Sequence, residues 1–369
     1  MSRRLHIERR GTISLPRRIV LSIAAVGAGL AAGFLILLIS GEPAIDAYSS
    51  MWEASLGTSN GFEATLVKTT PLILTGLAVS LALRLSLWNI GAEGQLAMGA
   101  VGATAIGLNV TGLSALPLLV LMLLAGMVFG AAWAAIAAIP RALIGLNEII
   151  TTLFLNYIAL LAVSALILGP WQDESAIGFA YSRPLPTDAE LPLIGDTRVS
   201  IGLLIAIAAV GVVWWAVERT RWGFAVRVAG GNVNAARYLR LPVRRRIIVV
   251  LALSGALAGL AGAIELTAVT FRLQDGISGN YGYAGILIAF LARGHLVAVV
   301  IVALLYAALL TGGFALQATG VPSSIALIVQ ALIIVFVLAA ERLGTYRVRI
   351  APRRAAPAPP VPRPGGATT

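Results

Sequence analysis

Two long stretches without a charged residue constrain the fold of this 369-residue chain most strongly. Residues 94–140 and 294–340 contain no Asp, Glu, Lys or Arg, and each stretch is 47 residues long. That length accommodates two membrane-spanning helices of about 20 residues with a turn between them. The chain is 59% hydrophobic and 12% charged, whereas soluble domains carry about 25% charged residues. The sequence therefore predicts an all-α, polytopic membrane protein.

Apolar segments divide the chain into about ten spans with both termini in the cytoplasm. This topology places 23 of the 27 basic residues on the cytoplasmic side, as expected from the bias of Lys and Arg toward cytoplasmic loops. Segments three and eight are short, and either could be a half-helix that re-enters the membrane. The ten segments are 19–40, 65–87, 93–108, 116–139, 149–168, 199–217, 247–269, 283–291, 296–316 and 323–340.

The spans form one transmembrane domain, residues 19–340, flanked by two basic segments. Residues 1–18 hold six arginines and are predicted to be a cytoplasmic arm. Residues 341–369 hold six prolines and six arginines, a composition typical of a disordered tail.

The most basic loop, residues 218–246, contains eight arginines and one carboxylate. So much charge lies in water or at headgroup level, and its sign indicates the cytoplasm. Asn232 or Asn234 can cap a short helix over residues 235–239, which the Leu-Pro pair at 241–242 stops. Such a helix suits contact with another protein. The alternative is a basic loop that only sets topology.

Residues for catalysis or metal binding are scarce. The chain has two histidines and no cysteine, so no His-based metal site can be built. Its only lysine, Lys68, lacks the glycines of a phosphate-binding loop. The sequence predicts no catalytic residue, no metal and no cofactor of its own. The net charge of +11 follows from orientation and suits anionic lipid headgroups rather than nucleic acid.

A few polar residues stand at membrane depth, where an ionisable group costs about 2.5–3.5 kcal/mol and is a functional candidate. Asn89, Glu93 and Gln95 lie together, and Asn89 and Glu93 would share a face if both were helical. Asn147, Glu148 and Asn156 flank the fifth span, and Glu265 and Gln317 lie toward the outer ends of later spans. The alternative is structural, with Glu93 or Glu148 capping a helix or pairing with Arg84 or Arg141.

Four motifs together resemble the permease subunits of ABC importers for nucleosides and simple sugars, within the wider family that includes branched-chain amino-acid permeases. The resemblance covers roughly residues 65–340, without the arm and the tail. The motifs are NIGAEGQ at 89–95 with MGA at 98–100, NEIITTLFLNY at 147–157, GGNVNAARY at 230–238 and SGALAGLAG at 254–262.

The resemblance implies a type II-like importer permease in a prokaryotic plasma membrane. Its implied partners are a cytoplasmic ATPase that binds ATP and Mg²⁺, a second, related but non-identical permease, and an extracytoplasmic binding protein that delivers a small molecule. The loop 218–246 would hold the coupling helix that docks on the ATPase. The coupling positions carried over are Gly231, Asn234, Ala235, Ala236 and Arg237, and the pathway candidates are Asn89, Glu93, Gln95 and Asn156.

The NIGAEGQ form of the first motif favours nucleosides over simple sugars or branched-chain amino acids. A secondary transporter is the alternative of another class, and it usually shows paired broken helices with a coupled-ion carboxylate in each half. Glu93 and Glu265 could be assigned that role, but the sequence shows no internal repeat. A membrane-embedded enzyme or scaffold is the remaining alternative.

Overall fold

The computed structural model of the chain describes residues 4–9, 15–344 and 346–351. The described residues form thirteen α-helices and one two-stranded ribbon, so the predicted all-α class is confirmed apart from this ribbon. The elements are β1 (Arg4–Arg9), α1 (Leu15–Ile39), α2 (Ala44–Trp52), α3 (Ser59–Leu83), α4 (Ala92–Asn109), α5 (Ala115–Ile144), α6 (Glu148–Ile167), α7 (Gly202–Arg219), α8 (Arg221–Gly231), α9 (Val233–Tyr238), α10 (Val243–Glu265), α11 (Tyr281–Leu291), α12 (Ala298–Ala318), α13 (Ser323–Gly344) and β2 (Tyr346–Ala351). Two π-helical turns, Glu53–Gly57 and Leu266–Thr270, and a 3₁₀ turn, Thr187–Ala189, complete the set.

Each of the ten predicted segments coincides with the greater part of one helix. Within the described residues, seven helical segments are long and apolar enough to cross a membrane: Ser59–Leu83, Ala115–Ile144, Glu148–Ile167, Gly202–Arg219, Val243–Thr270, Ala298–Ala318 and Ser323–Ala340. The chain is thus a multi-pass membrane protein, and the count of ten crossings with both ends in the cytoplasm stays a prediction.

The third and eighth segments differ from the other predicted spans. Helix α11 has 11 residues, which at 1.5 Å per residue cover about 16 Å, half of a hydrocarbon core of about 30 Å. Helix α4 has 18 residues and is long enough, but it begins with Glu93 and Gln95 in its first turns. The half-helix alternative therefore suits α11 better than α4.

The start of α3 and the end of α5 lie furthest from their predicted positions. Helix α3 begins at Ser59 because Thr58 caps it by accepting a hydrogen bond from the N–H of Gly61. Helix α5 continues past Pro140 to Ile144, where Gly145 takes a left-handed φ of 75°. A proline removes only one hydrogen-bond donor, and glycine tolerates the conformation that ends a helix.

Glycines hold α4, α5 and α10 in close contact. A methyl group on Gly259 of α10 would lie 2.2 Å from the carbonyl oxygen of Gly126 on α5, and one on Gly262 would lie 2.0 Å from that of Leu96 on α4. Only residues without a side chain permit backbones to approach this closely. The motif at 254–262 therefore serves helix packing.

The chain divides into two compact units, residues 45–321 and residues 1–44 with 322–369. In the second unit α1 packs on α13, where a methyl group on Gly29 would lie 2.7 Å from the Cα of Ile333. Strand β1 pairs antiparallel with β2, with Arg4 opposite Ala351. Of the tail predicted to be disordered, α13 and β2 take up most of 341–351, and residues 352–369 lie outside the described part.

Candidate functional site

The four predicted pathway residues meet around the start of α4. Asn89 precedes the helix, Glu93 and Gln95 lie in its first turns, and Asn156 reaches it from α6. All four side chains are at most 2% exposed. Because Asn89 lies before the helix, it does not share a helical face with Glu93.

Asn89 and Gln95 form a reciprocal pair of amide hydrogen bonds. Nδ2 of Asn89 donates to Oε1 of Gln95 at 2.8 Å, and Nε2 of Gln95 donates to Oδ1 of Asn89 at 2.9 Å. Nδ2 of Asn89 also donates to the Ser254 hydroxyl of α10 at 2.8 Å, and that hydroxyl donates to the carbonyl of Ala78 on α3 at 2.7 Å. One chain of hydrogen bonds therefore joins α3, α4 and α10.

Glu93 joins α4 to the start of α11. Its Oε2 accepts a hydrogen bond from the backbone N–H of Gly282 at 2.8 Å, and the Ser278 hydroxyl interacts with the same carboxylate. A negative charge is favourable at a helix N-terminus. Glu93 therefore caps a helix, as the structural alternative proposed, and the helix that it caps is α11 rather than its own helix, α4.

Asn156 joins α6 to the same region. Its Oδ1 accepts from the N–H of Gly94 at 2.9 Å, and its Nδ2 donates to the carbonyl of Ile90 at 2.9 Å and to the Tyr283 hydroxyl at 3.2 Å. A methyl group on Gly94 would lie 2.9 Å from the Cα of Asn156. The amide therefore holds the non-helical segment before α4 in place.

These contacts make the polar cluster a satisfied internal network. Buried polar groups that are fully hydrogen-bonded fix the arrangement of the elements they join. The network fixes the start of α4 against α3, α6, α10 and α11. Glu148, the other acidic candidate, is explained by the structural alternative, since its Oε2 lies 3.0 Å from Nε of Arg141.

The basic loop contains two helices, α8 and α9, separated by Asn232. The Asn232 side chain accepts hydrogen bonds from the N–H groups of Asn234 at 2.9 Å and Ala235 at 3.1 Å. Of the two predicted caps, Asn232 is therefore the one that forms. A short capped helix at this place was predicted, and it is confirmed as α9.

The five coupling candidates differ in accessibility. Gly231, Asn234, Ala235 and Arg237 are exposed, whereas Ala236 is fully buried. The exposed surface of α9 and of the residue after it also includes three apolar side chains that a solvated loop would not need, namely Val233, Tyr238 and Leu239. Apolar side chains therefore stand beside Arg237 on this surface, as in a protein interface.

A polar clamp anchors α8 to the end of α3. Arg84, at the end of α3, lies 2.9 Å from Glu218 of α7 and donates to the carbonyl of Gly294 at 2.5 Å. Glu218 also binds Arg227 of α8 at 3.0 Å. None of these three residues was a sequence-based site candidate, and Arg84, named only as a possible partner of Glu93, pairs with Glu218 instead. The available signal was the presence of a single carboxylate among eight arginines.

Backbone contacts strengthen this anchor. The Ser86 hydroxyl donates to the carbonyl of Gly230 at 2.9 Å. A methyl group on Gly230 would lie 2.0 Å from the carbonyl oxygen of Arg84. The end of α8 is therefore held directly against the end of α3.

Two surface grooves lie away from the polar network. One, of about 340 Å³, runs along α6 and is almost wholly apolar. The other, of about 450 Å³, lies between the α4–α5 turn and the loop with Arg183 and Asp188. Within the described part of the chain, no three His, Asp or Glu side chains come together as a metal site.

Known proteins resemble this chain over most of its length. Residues 61–338 match the family described as branched-chain amino acid transport system, permease component. The glucose ABC transporter permease protein TsgB13 of Haloferax volcanii is 37% identical, over 91% of this chain and 93% of its own. The guanosine ABC transporter permease protein NupP of Bacillus subtilis is 34% identical, over 86% and 92%. The nucleoside ABC transporter permease protein NupB of Lactococcus lactis is 30% identical, over 87% and 91%.

Proposed function

The chain belongs to the family of permease components of branched-chain amino acid transport systems, and from that premise we propose that it forms the translocation pathway of an ATP-driven nucleoside importer. It is a transport subunit and a multi-pass protein of the prokaryotic plasma membrane. The observation that carries the nucleoside assignment is the match to relatives named for guanosine and nucleosides over more than 90% of their length.

Import by this subunit requires partners that bind nucleotide and deliver substrate. We assign ATP and Mg²⁺ to a cytoplasmic ATPase, since the sequence of the permease contains no phosphate-binding loop. An extracytoplasmic binding protein brings the nucleoside. A second permease, related but not identical, completes the pathway.

Helix α9 is the surface that we assign to the ATPase. Its exposed residues, Asn234, Ala235 and Arg237, stand beside exposed apolar side chains, and its buried Ala236 fixes it to its own chain. A helix that is exposed on one face and anchored on the other can transmit a push without bending.

The clamp at Arg84 supplies the next step of transmission. Movement of α9 displaces α8, and α8 is tied to the end of α3 through Glu218 and Gly230. Helix α3 joins the Asn89 network through Ala78. The helices tied by that network therefore rock as a body between outward and inward openings.

The test is uptake in proteoliposomes that contain both permeases and the ATPase, with the binding protein added outside. We expect uptake of labelled guanosine that requires the binding protein outside and ATP in the lumen of the proteoliposomes, where the ATPase lies. Accumulation by the permease chain alone, without nucleotide, would establish the secondary-transporter alternative instead.

A simple-sugar importer is the second candidate, because the glucose permease relative shares 37% identity. A panel of guanosine, uridine, glucose and leucine separates the candidates. Uptake of glucose with no uptake of either nucleoside would replace the nucleoside assignment by the sugar assignment. Uptake of leucine alone would indicate the amino-acid branch of the family.

A further inference from the structure

A second group of residues lies in the unit formed by residues 45–321, at other positions on α3, α10 and α11 than the Asn89 network and also on α12. Lys68 of α3 places its Nζ 3.9 Å from the ring centroid of Phe314 on α12. Its ammonium interacts electrostatically with Glu265, the last residue of α10. Glu265 interacts likewise with the Tyr281 hydroxyl of α11. We call Lys68, Glu265, Tyr281 and Phe314 the Lys68 cluster.

The Lys68 cluster differs from the Asn89 network in its unused hydrogen-bonding capacity. Glu265 is only 6% exposed, yet no described residue donates a hydrogen bond to its carboxylate or lies within 4.0 Å as a cationic partner. Glu93 and Glu148, by contrast, both have close partners. An ionisable group at membrane depth is costly, so Glu265 is a functional candidate.

Lys68 has similar spare capacity. No described carboxylate lies within 4.0 Å of its Nζ, although the sign of Glu265 favours the ammonium. An ammonium carries three donors, and a carboxyl group carries acceptor oxygens. The two groups therefore leave donors and acceptors available to a third molecule.

Phe314 gives this pair an accessible side, because its ring is 61% exposed. Glu265 is followed directly by the π-helical turn Leu266–Thr270. Such turns occur often at functional sites, since they redirect the side chains of a helix. The cluster thus combines a planar apolar face with one acceptor group and one donor group.

The ligand chemistry follows from these three parts. Lys68 and Glu265 are a basic and an acidic residue, so their electric fields partly cancel at a ligand. The cluster therefore suits an uncharged ligand better than an anion or a cation. Hydroxyl groups are the donors that a carboxylate accepts, and a planar ring packs on an aromatic face. A nucleoside carries both, together with acceptor atoms for an ammonium.

We propose that the Lys68 cluster binds the transported nucleoside, with Glu265 accepting from ribose hydroxyls, Lys68 donating to a ligand acceptor and Phe314 packing on the base. This inference rests on the proposed nucleoside transport. It moves substrate recognition from the Asn89 network to residues that lie up to 246 positions apart in the sequence.

The test uses the complete transporter in lipid nanodiscs without binding protein, with tritiated guanosine as the probe. We expect Glu265→Gln to weaken binding about tenfold or more, because the amide replaces one acceptor oxygen with a group that only donates. We also expect the wild type to prefer guanosine over 2′,3′-dideoxyguanosine and this variant to lose most of that preference. A purely structural role for Glu265 would lower the amount of folded complex but leave the preference unchanged.

Phe314 provides a variant that does not disturb the core. Phe314→Leu should weaken guanosine binding, whereas Phe314→Tyr, which keeps the ring, should bind like the wild type. Phe154→Leu on α6 is the matched control, since Phe154 is 62% exposed and Phe314 61%. Equal binding by Phe314→Leu and the control, with an unchanged ribose preference in Glu265→Gln, would overturn the assignment.

Failure of the inference and of the proposed function give different results. If the wild type takes up guanosine while the variants retain normal binding and preference, only the Lys68 cluster is wrongly assigned. If the wild type takes up glucose or leucine but no nucleoside, the proposed substrate is wrong, and the nucleoside site is wrong with it.

Discussion

Two adjacent alanines of α9 have opposite surroundings, and this difference separates docking from folding. Ala235 is exposed and Ala236 is fully buried. We expect Ala235→Glu to leave the yield of folded permease unchanged and to reduce both the retained ATPase and the uptake. Ala236→Glu should lower the yield itself, because an unpaired buried carboxylate costs several kcal/mol.

Monodisperse yield and ATPase retained on gentle purification are the two measurements. An Ala235→Glu variant that keeps its ATPase and transports normally would remove α9 from the docking surface. A substitution at both alanines together would combine an effect on docking with an effect on folding, so its result could not be interpreted.

Asn156 permits a second residue-scale prediction, because its amide serves two backbone groups. Asn156→Leu would leave the N–H of Gly94 and the carbonyl of Ile90 without their partner, at about 1–3 kcal/mol for each buried group. We expect a clear drop in the melting temperature of the purified protein. Asn109→Leu is the control, because Asn109 is exposed and donates only within its own helix. An Asn156→Leu protein of normal stability with a raised KM for uptake would return Asn156 to the pathway.

At the scale of helices, the contact of α10 with α5 depends on missing side chains. Gly259→Ala would place a methyl group 2.2 Å from the carbonyl oxygen of Gly126. Overpacking of this kind costs about 1–3 kcal/mol, so we expect a lower melting temperature and yield. Gly211→Ala on α7 should be neutral, since a methyl group there meets no atom within 4 Å. Equal stability of the two variants would show that α5 and α10 can separate without loss.

The Arg84 clamp predicts a loss of coupling rather than of folding. Arg84→Gln removes the ion pair with Glu218, which joins the end of α3 to α7 and α8. We expect fewer nucleosides imported per ATP hydrolysed, with the ATPase still bound. Exposed Arg221→Gln, in the same loop, is the control.

The double variant Arg84→Gln with Glu218→Gln tests the clamp further. Residues that act through one contact give non-additive effects, so the double variant should lose little more coupling than Glu218→Gln alone, which also releases Arg227. Additive losses would mean that Arg84 and Glu218 act separately.

Features that depend on neighbours in the sequence were predictable, and features that depend on distant neighbours were not. The apolar segments and the short helix at Asn232 follow from local hydropathy and capping. The partner of Asn89 could not be predicted, because it depends on where α4 begins. Lys68 and Glu265 are 197 residues apart, and no local pattern indicates that they interact. The end of α5 was misplaced because Pro140 is tolerated inside that helix.

At the scale of the whole molecule, the charge distribution predicts how the permease is oriented. With α9 in the cytoplasm, the eight arginines of residues 218–246 face the side that Lys and Arg prefer. The acidic loop between α6 and α7 then lies outside, where a binding protein could reach it. The assignment of α9 to ATPase docking therefore requires this orientation, since an ATPase can meet α9 only in the cytoplasm.

Cysteine labelling can test this orientation directly, because the natural chain has no cysteine. Ile177→Cys, in the loop between α6 and α7, and Tyr238→Cys, at the end of α9, are matched sites with side chains 90% and 89% exposed. In intact cells that lack the partner ATPase, we expect a membrane-impermeant maleimide to label Ile177→Cys only. Permeabilised cells should show labelling of both sites, because the two positions lie on opposite sides of the membrane but are equally exposed on the protein surface. Labelling of Tyr238→Cys in intact cells would place α9 outside, where no ATPase could dock, and the coupling assignment would then be wrong whatever the substrate.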